Sequence, residues 1–194
     1  VPGTTLLTTK DISYRIKMSE AKIAITDSEN LSKLESVKEE CPNLKHIIVV
    51  GETSKENNYE KLIEAASPRL PNPHNLSDAP LVLYFTSGTT GYPKMVMNTH
   101  STYPIGHIAT GKFWLDNRPT DLHWTISDTG WAQAAWSHFF GPWNMGAALF
   151  VWDHRDRFDA SATLNMLETY PITTFFAPPT AYRMLVLQNL DSFN

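Results

Sequence analysis

The stretch "YFTSGTTGYPK" at residues 84–94 decides how this 194-residue sequence is interpreted. It follows the continuous apolar run "LVLYF" (81–85), which has the composition of a β-strand. Two glycines, Gly88 and Gly91, permit a tight turn in which backbone N–H groups can approach an anion. We therefore interpret 84–94 as an anion-binding loop. The alternative is a solvated polar hairpin turn.

The side chains of the loop suit a polyphosphate. Several hydroxyl groups can donate hydrogen bonds to phosphate oxygens, and Lys94 adds a compact positive charge. The pattern is not a Walker A loop, because Pro93 comes before the lysine and neither serine nor threonine follows it. The predicted phosphate-binding residues are Thr86, Ser87, Gly88, Thr89, Thr90, Gly91 and Lys94.

Continuous apolar runs alternate with amphipathic segments along the rest of the chain. This alternation predicts an α/β fold with layered, parallel-rich β-sheets flanked by helices. In such sheets ligands bind at the carboxyl ends of strands, where the sequence places the loop. The predicted strands are 22–26, 46–50, 81–85, 95–100, 122–126, 147–152 and 173–177. The main predicted helices are 9–20, 28–41, 59–66, 101–115, part of 131–145, a segment capped by Asp159, and 179–188.

Composition excludes several classes of protein. The net charge is −4, with 16 basic and 20 acidic side chains, which argues against binding to nucleic acid. The single cysteine, Cys41, rules out an intrachain disulfide and is predicted to be buried on a helix face; no metal site is predicted. No apolar run reaches the roughly 18 residues that span a membrane, so no membrane span is predicted.

Beyond these inferences, the loop resembles the phosphate-binding signature of adenylate-forming enzymes. This superfamily includes acyl-CoA synthetases, firefly luciferase and nonribosomal-peptide adenylation domains. "YFTSGTTGYPKMV" (84–96) is similar to the family pattern at every defining position. "WTISDTGWA" (124–132) and "YPITTFFAPPTAYRML" (170–185) resemble the medium-chain acyl-CoA synthetase branch. The resemblance implies that the chain is a fragment of the large N-terminal domain of such an enzyme.

The proline-rich composition of 67–80 predicts a boundary within the chain. Residues 1–79 are expected to form an α/β segment that ends in a proline-rich linker near 67–80. Residues 80–194 are expected to carry the phosphate loop and part of an acyl pocket. Trp131 and Gly130 are expected to contribute to the pocket, although Trp131 could instead be an ordinary core tryptophan. The C-terminal domain is expected to be absent.

The implied activity is that of an acid–thiol ligase. ATP activates a medium-chain carboxylic acid as an acyl-adenylate, and CoA then receives the acyl group. Mg²⁺ is implied by the family, but its ligands and the adenylation lysine are expected downstream of Asn194, so no catalytic residue is assigned within this sequence.

The sequence starts at "VPGTTLL" without an initiator methionine, which favours a piece of a longer protein. The fragment alone is expected to be inactive. The alternative is a truncated, non-catalytic module that binds nucleotide phosphates or another protein. The expected partners are small molecules: a carboxylic acid, ATP and CoA. No oligomeric state is predicted. The expected location is cytoplasmic, with the mitochondrial matrix as the alternative.

Overall fold

The chain forms two compact units, Val1–Thr99 and His100–Asn194. The computed structural model describes residues 1–51, 57–72, 74–86, 91–154 and 157–193. The division predicted from the proline-rich segment near 67–80 stays a prediction. None of the helices in the described ranges is long and apolar enough to cross a membrane.

The first helix, α1 (Thr9–Ser19), starts at a capping box. The backbone N–H of Asp11 donates to Thr8 Oγ1 at 3.3 Å, and the backbone N–H of Thr8 donates to the Asp11 carboxylate at 3.1 Å. These reciprocal bonds satisfy two donors that the start of a helix leaves without partners. The Thr8 hydroxyl also donates to the Asp11 carboxylate, at 2.6 Å, and this bond together with the one from the Thr8 N–H lowers the pKa of Asp11. The start of α1 is therefore well defined by sequence.

A parallel pair of strands forms the centre of the first unit. Strands β1 (Ile23–Asp27) and β2 (His46–Val50) pair in parallel, while α2 (Leu31–Val37) connects them and α3 (Tyr59–Ala65) follows. Cys41 is 1% exposed, which confirms the prediction that it is buried, but α2 ends at Val37, so the prediction that Cys41 lies on its face is wrong. The core of this unit consists of Ile16, Leu34, Val37, Cys41, Leu44 and Ile47.

The strands on either side of the predicted phosphate loop form an antiparallel hairpin. Strand β3 (Pro80–Thr86) pairs with the returning strand β4 (Lys94–Thr99). The prediction of a returning strand is confirmed. The loop thus joins two antiparallel neighbours, whereas the sequence suggested the carboxyl end of a strand in a parallel sheet. A short connection between adjacent strands favours this antiparallel arrangement, because parallel pairing needs a long crossover.

The second unit is built on a parallel three-stranded sheet in the order β6-β5-β7. The strands are β5 (Leu122–Thr125), β6 (Ala148–Leu149) and β7 (Thr174–Phe176). Strand β6 is shorter than predicted. The rings of Phe150 and Trp152 pack against Trp124, at 5.1 and 6.0 Å between centroids. This packing accounts for the aromatic residues at 150 and 152 without a strand, while Val151 between them is exposed.

Helices cover the rest of the second unit. The predicted helix 101–115 forms as α4 (Thr102–Ala109) and a π-helical segment, Thr110–Trp114. The aromatic region is largely helical, as predicted. The remaining helical segments are α5 (Ala132–Ala134), a π-helical segment (Ala135–Phe140), α6 (Gly141–Asn144), α7 (Ala160–Thr169), α8 (Pro179–Leu185) and a 3₁₀ turn (Leu190–Ser192). Asp159 caps α7, as predicted, by accepting a hydrogen bond from the backbone N–H of Ala162.

A buried histidine lies at the centre of this unit. His123 is 1% exposed; its Nε2 lies 2.9 Å from the carbonyl oxygen of Ser137, and its Nδ1 lies 2.8 Å from Thr174 Oγ1. The carbonyl requires a proton on Nε2, so the neutral ring accepts from the threonine at Nδ1. Burial lowers the pKa of His123 because it disfavours the charged imidazolium.

We therefore expect the free energy of unfolding to fall as the pH drops below about 6.5. In that range the unfolded chain gains a proton that the buried imidazole does not take up. Burial also lowers the pKa values of His107 and His138, which adds an effect of the same sign. If His123 stays neutral between pH 7.5 and 5.5, the unfolding free energy falls by about 1.4 kcal/mol, and the partly buried His107 and His138 contribute less because solvent screens them. Pulse proteolysis in urea at the two pH values measures this change, and equal stability at both would contradict it.

Candidate functional site

The ends of the predicted phosphate loop lie directly opposite each other in the hairpin. Thr86 is the last residue of β3, and Lys94 is the first residue of β4 and its cross-strand partner. Cross-strand partners project from the same face of a sheet, so the Thr86 hydroxyl and the Lys94 ammonium begin on one face at the mouth of the loop. Ser87, Gly88, Thr89 and Thr90 lie outside the described residues.

Gly91 has the turn conformation that the sequence predicted for the glycines. Its φ is +107°, a region that side chains bearing a Cβ rarely adopt. A Cβ at this position would meet no atom within 4 Å. The backbone conformation therefore accounts for glycine here, and lack of space does not.

Helix α1 contacts both ends of the loop through one side chain. The Tyr14 hydroxyl donates to the carbonyl oxygen of Pro93 at 3.0 Å. The Tyr14 ring stacks on Tyr92, with centroids 5.0 Å apart, and meets the ring of Phe85 edge-on at 5.9 Å. Phe85 precedes Thr86, and Pro93 precedes Lys94, so Tyr14 links the backbone on the two sides of the loop.

Two cations of α1 lie against the same aromatic rings. Lys10 Nζ lies 5.6 Å from the centroid of the Tyr92 ring, and the Arg15 guanidinium lies 4.9 Å from that of Phe85. These distances are typical of cation–π contacts. Partial burial lowers the pKa of Arg15, although the group stays charged at neutral pH. The positive charges favour an anion in the neighbouring loop.

Sequence reasoning did not identify these α1 residues as part of the site. Lys10 and Tyr14 are four apart on a helix and therefore share a face, which is a signal that the sequence contains. What the sequence does not contain is the position of that face against the hairpin. The contact between Tyr14 and Pro93 joins residues that are 79 positions apart in the sequence.

The predicted acyl-pocket residues form a tight turn in the other compact unit. The Gly130 N–H donates to the Asp128 carboxylate at 2.7 Å, and the Trp131 N–H donates to the Asp128 carbonyl at 3.0 Å. Trp131 is the N-cap residue of α5 and is 58% exposed. Trp131 is therefore not part of the core that the described residues form. Its place in an acyl pocket stays a prediction.

The described part of the chain offers no group of three or more His, Cys, Asp or Glu side chains that could hold a metal ion. No step that involves Mg²⁺ is therefore assigned to these residues. The described residues of the predicted loop supply the Thr86 hydroxyl, the Lys94 ammonium and the turn at Gly91, groups that suit an anion.

The chain belongs to the AMP-binding enzyme family, which matches it over residues 1–194. This match confirms the family identified from the loop. The chain is 42% identical to "Acyl-coenzyme A synthetase ACSM3, mitochondrial" of Homo sapiens over 195 aligned residues, which cover 100% of this chain and 33% of the relative. The chain therefore spans about a third of the length of this relative.

Solved structures support the same fold. The crystal structure of the anthranilate CoA ligase AuaEII in complex with anthranoyl-AMP matches with a TM-score of 0.85 and 26% identity. The match covers 97% of this chain and 37% of the ligase. An acyl-CoA synthetase of Brucella canis matches with a TM-score of 0.84 and 26% identity, over 98% of this chain and 34% of that protein. The predicted α/β class with parallel-rich sheets is confirmed.

Proposed function

We propose that this chain is part of the large N-terminal domain of an ATP-dependent acyl-CoA synthetase. The observation that carries the proposal is the hairpin that pairs Thr86 with Lys94 across a loop of the sequence "SGTTGYP". The 42% identity to an acyl-coenzyme A synthetase supports it independently. The predicted partners are therefore a carboxylic acid, ATP and CoA.

The proposed reaction has two steps, adenylation of the acid and transfer of the acyl group to CoA. A carboxylate oxygen attacks the α-phosphorus of ATP, forms an acyl-adenylate and releases pyrophosphate. The thiol of CoA then attacks the acyl carbonyl, loses its proton and displaces AMP. In this scheme the loop hydroxyls and Lys94 hold the β- and γ-phosphates while pyrophosphate leaves. Such chemistry depends mainly on positioning and on stabilising developing charge. Mg²⁺, when bound by residues elsewhere in the protein, supplies further charge neutralisation.

The proposed acid has a chain of medium length. The exposed indole of Trp131 offers an apolar surface in the turn at 128–131. Each methylene of an acid buried against such a surface contributes about 0.8 kcal/mol. Gly130 precedes the indole and adds no side chain of its own. These features suit an apolar tail better than acetate.

A substrate panel tests the proposed function. The full-length protein is assayed for thioester formation with ATP, CoA and acids from acetate to dodecanoate, with benzoate as an aromatic comparison. We expect the highest kcat/KM with acids near octanoate. A maximum at acetate would contradict the medium-chain branch. Absence of any acid-dependent AMP release would contradict the enzyme class.

The 194 residues alone are expected to form no thioester from ATP, CoA and octanoate, because the family's magnesium ligands and adenylation lysine are not among them. Measurable turnover by the purified chain would contradict this expectation.

We also propose that the protein is located in the mitochondrial matrix and not in the cytoplasm, since the relative is named as mitochondrial. Cell fractionation of the full-length protein distinguishes the two compartments.

A further inference from the structure

We propose that Tyr14 is a positioning residue that holds the two described ends of the predicted phosphate loop, at Phe85–Thr86 and at Tyr92–Lys94, in the arrangement that binds ATP. The inference rests on the proposed function, because it assigns Tyr14 a role in the same site. Tyr14 lies on α1 and does not belong to the loop sequence. It reaches the loop through a hydroxyl group and a ring that contact different segments of the hairpin.

The hydroxyl fixes the backbone next to Lys94. It donates to the carbonyl of Pro93, the residue that immediately precedes the lysine. A peptide unit is planar, so fixing the Pro93 carbonyl also restrains the N–H of Lys94. Loss of this hydrogen bond would therefore change the direction in which the Lys94 side chain projects from the strand.

The ring restrains the opposite end of the loop. It contacts Tyr92 on one side of the loop and Phe85 on the other. Phe85 and Thr86 are consecutive in β3, so their side chains point to opposite faces of the hairpin. Tyr14 therefore packs against the face of the hairpin opposite to the one that carries Thr86 and Lys94. The face with Thr86 and Lys94 stays available to a ligand.

Preorganisation of this kind changes the apparent affinity for the ligand. If only part of the loop population has the binding conformation, the apparent dissociation constant rises by the inverse of that fraction. Tyr14→Phe removes the hydroxyl and keeps the ring, while Tyr14→Leu removes both contacts. We expect Tyr14→Phe to raise the KM for ATP about fivefold, the effect of one neutral hydrogen bond. Tyr14→Leu should raise it further, and the KM for CoA should stay unchanged in both variants.

Tyr182→Phe provides the matched control. The Tyr182 hydroxyl also donates to a backbone carbonyl, that of Phe175, at 3.1 Å, but in the other compact unit. This variant loses the same kind of bond and is expected to leave the KM for ATP unchanged. An equal rise in all three variants would indicate a general loss of stability and would overturn the proposal.

Amide hydrogen exchange in the full-length protein gives a readout that does not depend on activity. Tyr14→Phe should speed exchange in the peptide that contains Tyr92, Lys94 and Met95, whereas Tyr182→Phe should not. Unchanged exchange together with an unchanged KM for ATP overturns the positioning role. If Tyr14→Phe speeds exchange but the wild-type protein shows no acid-dependent ATP cleavage, the proposed function is refuted while the contact between Tyr14 and the ends of the loop is supported.

Discussion

Replacing Lys94 with alanine in the full-length protein is expected to slow formation of the acyl-adenylate about 100-fold, the size of effect seen when one preorganised donor to a developing charge is removed. The lysine starts β4 at the mouth of the loop, opposite Thr86. Its ammonium would otherwise stabilise pyrophosphate as it leaves. Acid-dependent exchange of pyrophosphate into ATP measures this step directly.

The second half-reaction supplies the internal comparison for Lys94→Ala. Thioester formation from preformed octanoyl-adenylate and CoA needs no β- or γ-phosphate, so it should slow far less than pyrophosphate exchange. Lys45→Ala is the matched control, because Lys45 Nζ donates to the carbonyl of Pro42, away from the loop sequence. Equal slowing of both half-reactions would contradict a phosphate-binding role for Lys94.

The largest expected effect on stability comes from Gly111→Ala in the second unit. A Cβ at Gly111 would lie closer than 3.0 Å to the carbonyl oxygen and carbon of Gly141, which are backbone atoms that cannot rotate away. We expect the free energy of unfolding to fall by about 2 kcal/mol or more, within the range for overpacked sites. Pulse proteolysis in urea measures the change.

Gly106→Ala is the control for this substitution. Gly106 lies in α4, and a Cβ there would meet no atom within 4 Å. The same substitution should therefore stabilise the helix by about 0.5–1 kcal/mol, because alanine loses less backbone entropy than glycine. Destabilisation by both substitutions to a similar extent would contradict the close contact between Gly111 and Gly141.

The local elements of this fold could be predicted well from sequence, since each follows from short-range patterns. The apolar run at 46–50 is β2, and the Asp159 cap marks the start of α7. The antiparallel pairing of β3 and β4 was only partly predicted: a returning strand was expected, but the loop was assigned to the end of a strand in a parallel sheet, although its short length favours a hairpin. The length of strand β6 was overestimated. An apolar run does not reveal whether its side chains only pack into the core or its backbone also pairs with a neighbouring strand.

The candidate site was predicted unevenly for a related reason. The residue types of the loop carry its chemistry, so Gly91 and Lys94 could be selected from sequence alone. Tyr14 could not, because its role depends on a contact with Pro93 that is distant in sequence. The exposure of Trp131 was equally inaccessible, since an indole in an aromatic segment fits both a core and a surface.

The central claim is that this chain belongs to a protein in which a carboxylate attacks the α-phosphorus of ATP. Octanoate labelled with ¹⁸O in both carboxylate oxygens tests it most directly, with the full-length protein, ATP and CoA. We expect AMP to gain one labelled oxygen, because the bridging oxygen stays on phosphorus when CoA displaces AMP. Label in inorganic phosphate with formation of ADP would contradict the account.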